Sequence, residues 1–288
     1  FFGLTIKAYG QEQIDDIEVI GISPLPGIEI DRNKVPNASQ SLKETDMNNS
    51  TATTIVDLLG EKLTGVTIKD VQNSPFQKNL DYRGFTAAPL LGESQGLAVY
   101  LNGTRINEGF GDTLQWELVP EAALTNIDLM SANPVFGLNA LGGSLALTTK
   151  KGLDYLNTDS SIENHFEVGG ADWVNGNIEL GAGTETQGLY VAMENSYDGG
   201  WRDNSAGDVK RLFVNYGILG DNFDYDFTFM NADSNLNGNG VSPTELLKVR
   251  RESVFTWPDF TSNKVYLAAS NANFYLEDDS AINTSIYY

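Results

Sequence analysis

One histidine, no cysteine and a scatter of carboxylates bound the chemistry open to this chain. His165 is the sole imidazole, so neither a multi-histidine zinc site nor a bis-histidine haem site can be assembled. Without cysteine, thiolate metal sites and disulfides are excluded too. A Ser-His-Asp arrangement would rest on that one imidazole, which alternation places on the polar face of a strand. Asp278 and Asp279 are adjacent, and neighbours in an extended segment point to opposite faces. The glycines from Gly137 to Gly143 lack the strand-loop-helix context of a phosphate or dinucleotide loop. Asp233, Asn235, Asn237 and Gly238 fit positions one, three, five and six of a calcium loop, but position twelve is Thr244, with Glu245 one residue late. That weak metal candidate competes with a long loop using Asn and Gly for turns. What remains suits binding: Arg83, whose guanidinium fork fits carboxylate or phosphate oxygens, and Phe110 with Asp112 in a glycine-rich turn. Neither enzyme activity nor a cofactor is expected.

The elements that must position these residues fall into two textures. Thr54–Asp57 has the spacing of a capping box with Asp in the place of Glu. Val56, Leu59 and Leu63 then share one helical face, Gly65 ends the helix, and Val66–Val71 alternates as a strand. Short strands and helices continue to Lys151, an α+β arrangement. From residue 160 the period is two throughout. Leu189, Val191 and Met193 oppose Tyr190, Ala192 and Glu194; Leu212, Val214, Tyr216 and Ile218 follow; Phe223, Tyr225, Phe227 and Phe229 oppose Asp224, Asp226 and Thr228. The pattern predicts seven to nine strands. A β-sandwich would alternate in the same way. A membrane barrel is favoured by a polar face rich in Asn, Glu and Asp, and by aromatics near strand ends: Trp173, Tyr197, Trp201, Tyr216, Tyr225 and Trp257.

Bulk composition agrees. The 288 residues allow one large domain or two smaller ones. A net charge of -21 repels nucleic acid, and 41% hydrophobic residues are enough for a folded core. No run approaches the ~18 consecutive apolar residues of a membrane helix, which leaves crossing by strands open.

Three motifs in order carry a family resemblance. Asp81–Phe85 contains Arg-Gly-Phe, and Gly96–Asn107 is a hydrophobic strand with an Asn-Gly turn. Leu118–Leu129 links them to Ser131–Lys150, with its aromatic-glycine, double glycine and Thr-Lys. Residues 51–151 thereby resemble the plug domain of TonB-dependent outer-membrane receptors. Ala132-Asn133-Pro134 stands where that family has Arg-Gly-Pro, which points to a subfamily.

The resemblance implies a division of the chain. Residues 1–13 are either a signal-peptide remnant or a first strand. Residues 14–23 resemble a TonB box, with Ile17, Glu18, Val19, Ile20 and Gly21 donating a strand to a periplasmic energy-coupling protein. Residues 24–50 read as linker, 51–151 as plug, and 152–288 as the first strands of a barrel. Since about 22 strands close such a barrel and an open edge cannot sit in lipid, the chain is expected to be a fragment. The implied fold is mainly β: an α+β plug inside an incomplete transmembrane antiparallel barrel in a Gram-negative outer membrane. The implied function is uptake of a scarce ligand, by the family's default an iron-siderophore or similar chelate. Arg83, Phe85, Phe110 and Asp112 match loops that face the ligand, with a structural ion pair or a solvated turn as alternative roles. The competing expectation is a soluble secreted carbohydrate-binding protein with an α+β domain beside a two-layer sandwich.

Overall fold

The computed structural model describes residues 19–21, 29–31, 38–132, 134–257, 259–277 and 280–288. The proposed signal-peptide remnant, Ile17, Glu18, Asp278 and Asp279 lie outside them. Strands β1 (Val19–Gly21) and β2 (Glu29–Asp31) pair antiparallel, Ile20 opposite Ile30.

The first domain packs helix α2 (Ile55–Lys62) against two small sheets. Thr54 caps α2 through its side-chain oxygen, which accepts from the Asp57 amide at 3.3 Å, leaving Asp57 in the first turn where the helix dipole favours a carboxylate. Ile55, Val56, Leu58, Leu59 and Leu63 are buried, a wider apolar stripe than the three positions read from spacing. Gly65 follows with φ +81°, and β4 (Val66–Asp70), β5 (Lys78–Tyr82) and β6 (Phe85–Ala87) form one antiparallel sheet. The second sheet is mixed, in the order β3 (Ser39–Lys43), β9 (Leu124–Ser131), β10 (Gly143–Thr149), β7 (Leu97–Leu101), β8 (Thr104–Arg105). Only β10 and β7 run parallel in it.

The expected linker over 24–50 needs correction. Ser39–Lys43 is an edge strand of this sheet, and Glu44–Asn48 forms a short helix, α1. Its polar composition hid it, but a strand on an edge needs few apolar anchors. Leu42 is buried, Ser41 donates to Asp128, and the Gln40 side chain exchanges two hydrogen bonds with the Thr64 backbone.

The double glycine has a packing reason. A Cβ on Gly142 would lie 2.4 Å from Phe85, and one on Gly143 would lie 2.5 Å from the Met130 carbonyl oxygen. Phe85 can pack on the start of β10 only because Gly142 has no side chain, and the β9 backbone approaches Gly143 for the same reason.

The remaining strands make one antiparallel meander of seven, β11 (Ser161–Val168), β12 (Val174–Gly183), β13 (Gln187–Asp198), β14 (Gly207–Leu219), β15 (Phe223–Asn237), β16 (Phe260–Tyr275) and β17 (Ala281–Tyr287), with helix α3 (Thr244–Val249) between β15 and β16. Every pair is sequential, so among the described residues these strands form one sheet and are not divided between the two layers of a sandwich. One face carries Tyr190, Ala192, Phe213 and Met230 into the same apolar cluster as Leu59, Leu97 and Trp116 of the first domain. The opposite face holds the rows headed by Leu189 and Leu212. Among the expected rim aromatics, Trp173 differs: it is buried and stacks on Phe76 of the first domain, centroids 5.4 Å apart.

Candidate functional site

The seven-stranded wall has unequal ends. Short turns at 184–186, 220–222 and 276–280 close one end, and connections at 169–173, 199–206 and 238–259 open the other. Short turns on the periplasmic side and longer loops outside are the habit of outer-membrane barrels. The β4–β5 hairpin tip reaches the long-loop end, where the Asn239 amide donates to the Gln72 carbonyl at 2.7 Å. At the short-turn end, Lys150 leaves the first domain with its ammonium 2.6 Å from Glu179 and 3.1 Å from Glu44. Burial alone would lower its pKa, but the two carboxylates more than offset this and hold it above the usual range.

Arg83 occupies the β5–β6 turn with φ +53°. Its side chain is exposed and its guanidinium lies over the Tyr82 ring, 4.9 Å from the centroid. No ion pair holds it among the described residues. Phe85 is half-buried against Gly96 and Gly142, so it fixes the turn and does not project from it. Phe110 is 78% exposed at the tip of its loop. Asp112 accepts from Arg105 and Asn139, which ties the 107–113 loop to the 134–142 loop. Leu91 closes on the same corner, its side chain filling the space beside Gly111. Arg83 and Phe110 are thus exposed, whereas Phe85 and Asp112 hold the loops that carry them.

The calcium-loop candidates are corrected by their backbone. Asp233, Asn235 and Asn237 are alternate residues of β15, on one face of a strand, where they cannot wrap an ion. Asp233 pairs with Lys264 at 2.7 Å, Asn235 accepts from Ser262 at 3.0 Å, and Asn237 donates to the Ala206 carbonyl at 2.8 Å.

Sequence reasoning missed the seam between domain and wall. Arg211 of β14 points inward and is closed off from solvent. Its Nε donates to the Glu117 carbonyl at 2.6 Å, and its terminal nitrogens reach Glu194 at 3.1 Å and Glu121 at 3.0 Å. Burial pushes the Glu117 carboxyl up despite hydrogen bonds from Asn263 at 2.9 Å and Ser234 at 3.2 Å. Burial also raises Glu121, against the pull of Arg211. Two carboxylates and one backbone carbonyl around one guanidinium bind the two parts through paired, dehydrated charge. The legible signal was an arginine in phase with Val209 and Phe213, two residues destined for burial.

With that geometry in place, likeness to known proteins can be assessed. Residues 31–144 match the TonB-dependent Receptor Plug Domain. The ferripyoverdine receptor of the outer membrane of Pseudomonas aeruginosa is similar with a TM-score of 0.71 and 11% identity, over 94% of this chain and 36% of that one. The ferric citrate transporter FecA gives 0.70 at 16% identity, over 87% of this chain and 39% of its own. The ferric yersiniabactin uptake receptor FyuA from Yersinia pestis gives 0.67 at 14%, over 87% and 41%. The chain therefore spans well under half the length of these receptors, and at such identities the likeness is one of fold. No curated protein matches the sequence. The first domain matches the plug of TonB-dependent receptors, and it is seated against a wall whose fold is similar to part of the barrel in these receptors.

Proposed function

We propose that the chain belongs to a receptor of the Gram-negative outer membrane that captures a scarce ligand at the outer face and admits it to the periplasm. An iron-siderophore or a similar chelate is the favoured ligand. The observation that carries this reading is the packing of the plug against one face of a single antiparallel wall. The plug-facing side of that wall mixes buried polar residues such as Glu194, Arg211, Asn215 and Thr228 with Tyr190, Ala192, Phe213 and Met230, and the rows headed by Leu189 and Leu212 turn away, as a lipid-embedded barrel requires. The ligand class is favoured by the structural neighbours, which include transporters or receptors of ferric citrate, ferric yersiniabactin and ferripyoverdine.

Arg83 and Phe110 are the ligand-facing residues of this reading, on loops braced by Phe85 and Asp112. The chain itself hydrolyses nothing. Energy reaches the plug through residues 17–21, which add a strand to a TonB-type coupling protein by backbone hydrogen bonds. Pairing of Val19–Gly21 with Glu29–Asp31 is consistent with a segment able to adopt an extended, strand-donating form.

The test is Ile20→Pro in the full receptor. Proline removes an amide donor and fixes φ, so uptake of a ferric siderophore should be lost while its binding at the cell surface persists. Uptake that survives this change places the coupling segment elsewhere or removes energised import altogether.

A further inference from the structure

At the long-loop end of the wall, a cavity of about 280 Å³ opens between the β4–β5 tip of the plug and the 169–173 and 199–206 connections. Asn73, Trp173, Asp198 and Trp201 line it, with Asp70 and Glu167 at its acidic margin. Two buried donors in this lining have no partner, Asn73 Nδ2 and Trp173 Nε1. Trp173 is only 6% exposed, its ring fixed by stacking on Phe76. Asp198 is also buried and accepts from the Gly200 amide at 3.2 Å. Trp201 is 44% exposed and forms the open side, steadied by Arg202 and Arg251 against its ring. Lys78, the one cation of the lining, is neutralised by both oxygens of Asp57 at 2.6 and 2.8 Å.

From this arrangement we propose a second binding site, for the ring of a neutral sugar. Orphaned buried donors are costly and call for a ligand that accepts. The carboxylates beside them call for one that donates. A hydroxyl does both. A metal ion or an ammonium group cannot accept from Asn73 or Trp173, and an anion reaching these donors would meet Asp70, Glu167 and Asp198, with Lys78 neutralised and the guanidiniums of Arg202 and Arg251 engaged on the Trp201 ring. Indole walls supply the apolar surface that the C–H face of a sugar ring needs. The volume sits at the lower end for ligand pockets and suits one ring. This site is separate from the Arg83 loops and does not depend on energised import.

Calorimetric titration of the full chain in detergent, with glucose, galactose, N-acetylglucosamine and maltotriose as probes, tests the assignment. At least one should bind saturably. Trp173→Phe keeps an aromatic ring against Phe76 and removes the N–H together with part of the indole surface; Asp198→Asn keeps the shape and removes the charge. Each should weaken binding about tenfold, the loss of one buried hydrogen bond. Ile20→Pro should leave sugar binding unchanged, so this assignment and the import reading fail separately. No saturable binding of any probe up to about 50 mM, a range that covers affinities weaker than about 4 kcal/mol, overturns the proposal. So does affinity unaltered in both Trp173→Phe and Asp198→Asn, or saturable binding of calcium or tetramethylammonium ions in place of sugar.

Discussion

Arg211 and Arg83 carry the same guanidinium into opposite situations. Arg211 sits in the seam between plug and wall, with Glu194 and Glu121 paired to it and the Glu117 carbonyl on its Nε. Arg83 lies exposed on the Tyr82 ring, at a turn whose neighbours give it no carboxylate. A buried charge must be satisfied within the chain, because water cannot reach it. An exposed one can be left open for something from outside. The seam therefore holds the molecule together, and the loops bearing Arg83 and Phe110 are where a ligand can still gain contacts. If this division is right, substitutions in the seam move stability, and substitutions in the loops move affinity.

The largest effect expected is that of Arg211→Met. It strands the Glu121 and Glu194 carboxylates in a dehydrated interface, and breaking one side of such a cluster costs about 3–5 kcal/mol. Urea unfolding followed by tryptophan fluorescence should register that loss. Adding Glu121→Gln and Glu194→Gln should return most of it, because the burden is the unpaired charge and not the missing arginine. If the triple variant is no more stable than the single one, packing and not charge holds the seam.

Arg83→Ala probes the other region. An anionic ligand held by a charge-assisted hydrogen bond should lose about 1.5–3 kcal/mol of affinity, with the melting temperature unmoved. The opposite outcome, intact affinity and a lowered melting temperature, would make Arg83 a structural residue and erase the contrast with Arg211.

How far each region could be read from sequence follows from the same physics. The wall was legible because strands with water or plug on one side and lipid on the other must alternate. Leu189, Val191 and Met193 against Tyr190, Ala192 and Glu194 carry that signal without any knowledge of partners. Helix α2 was legible through Thr54 and its cap. Strand β3 was not, because Ser39, Gln40 and Ser41 look like linker until β9 is beside them. Nor was the seam, since Glu117, Glu121, Glu194 and Arg211 are brought together only by the docking of plug on wall, up to 94 positions apart. Of the four candidate ligand residues, Arg83 and Phe110 are exposed. Phe85 and Asp112 are used internally, a distinction that depends on Gly142, Arg105 and Asn139 and cannot be drawn from the local motif.

A smaller effect, and one that sharpens the seam, concerns pH. Burial raises the Glu117 carboxyl above its ordinary value of 4.5 in the folded protein. The folded state therefore binds more protons than the unfolded one between 4.5 and that raised value. The stability this group contributes is fully present below 4.5 and is lost as pH rises through the folded value. Glu117→Gln mimics the protonated form at every pH. Its melting temperature relative to the parent should accordingly climb as pH is raised from acid to mildly alkaline. A difference that stays constant over that range would mean that Glu117 is as easily ionised in the seam as in water.

The smallest effect is expected on the outer rim, where Asp233 and Lys264 pair at 2.7 Å across β15 and β16. Lys264 is open to solvent, and an ion pair in water gains little over its two hydrated partners. Asp233→Ala should leave the melting temperature within error of the parent, in low salt and in high. Calcium up to millimolar levels should not raise it either, because Asp233, Asn235 and Asn237 stand in a row along one face of a strand, and oxygens of Asp233 and Asn235 already have partners on β16. A calcium-dependent rise in the melting temperature that disappears in Asp233→Ala would restore the metal loop. It would also require the upper part of β15 to leave the sheet to form it, which a loss of amide protection over residues 233–237 on adding calcium would reveal.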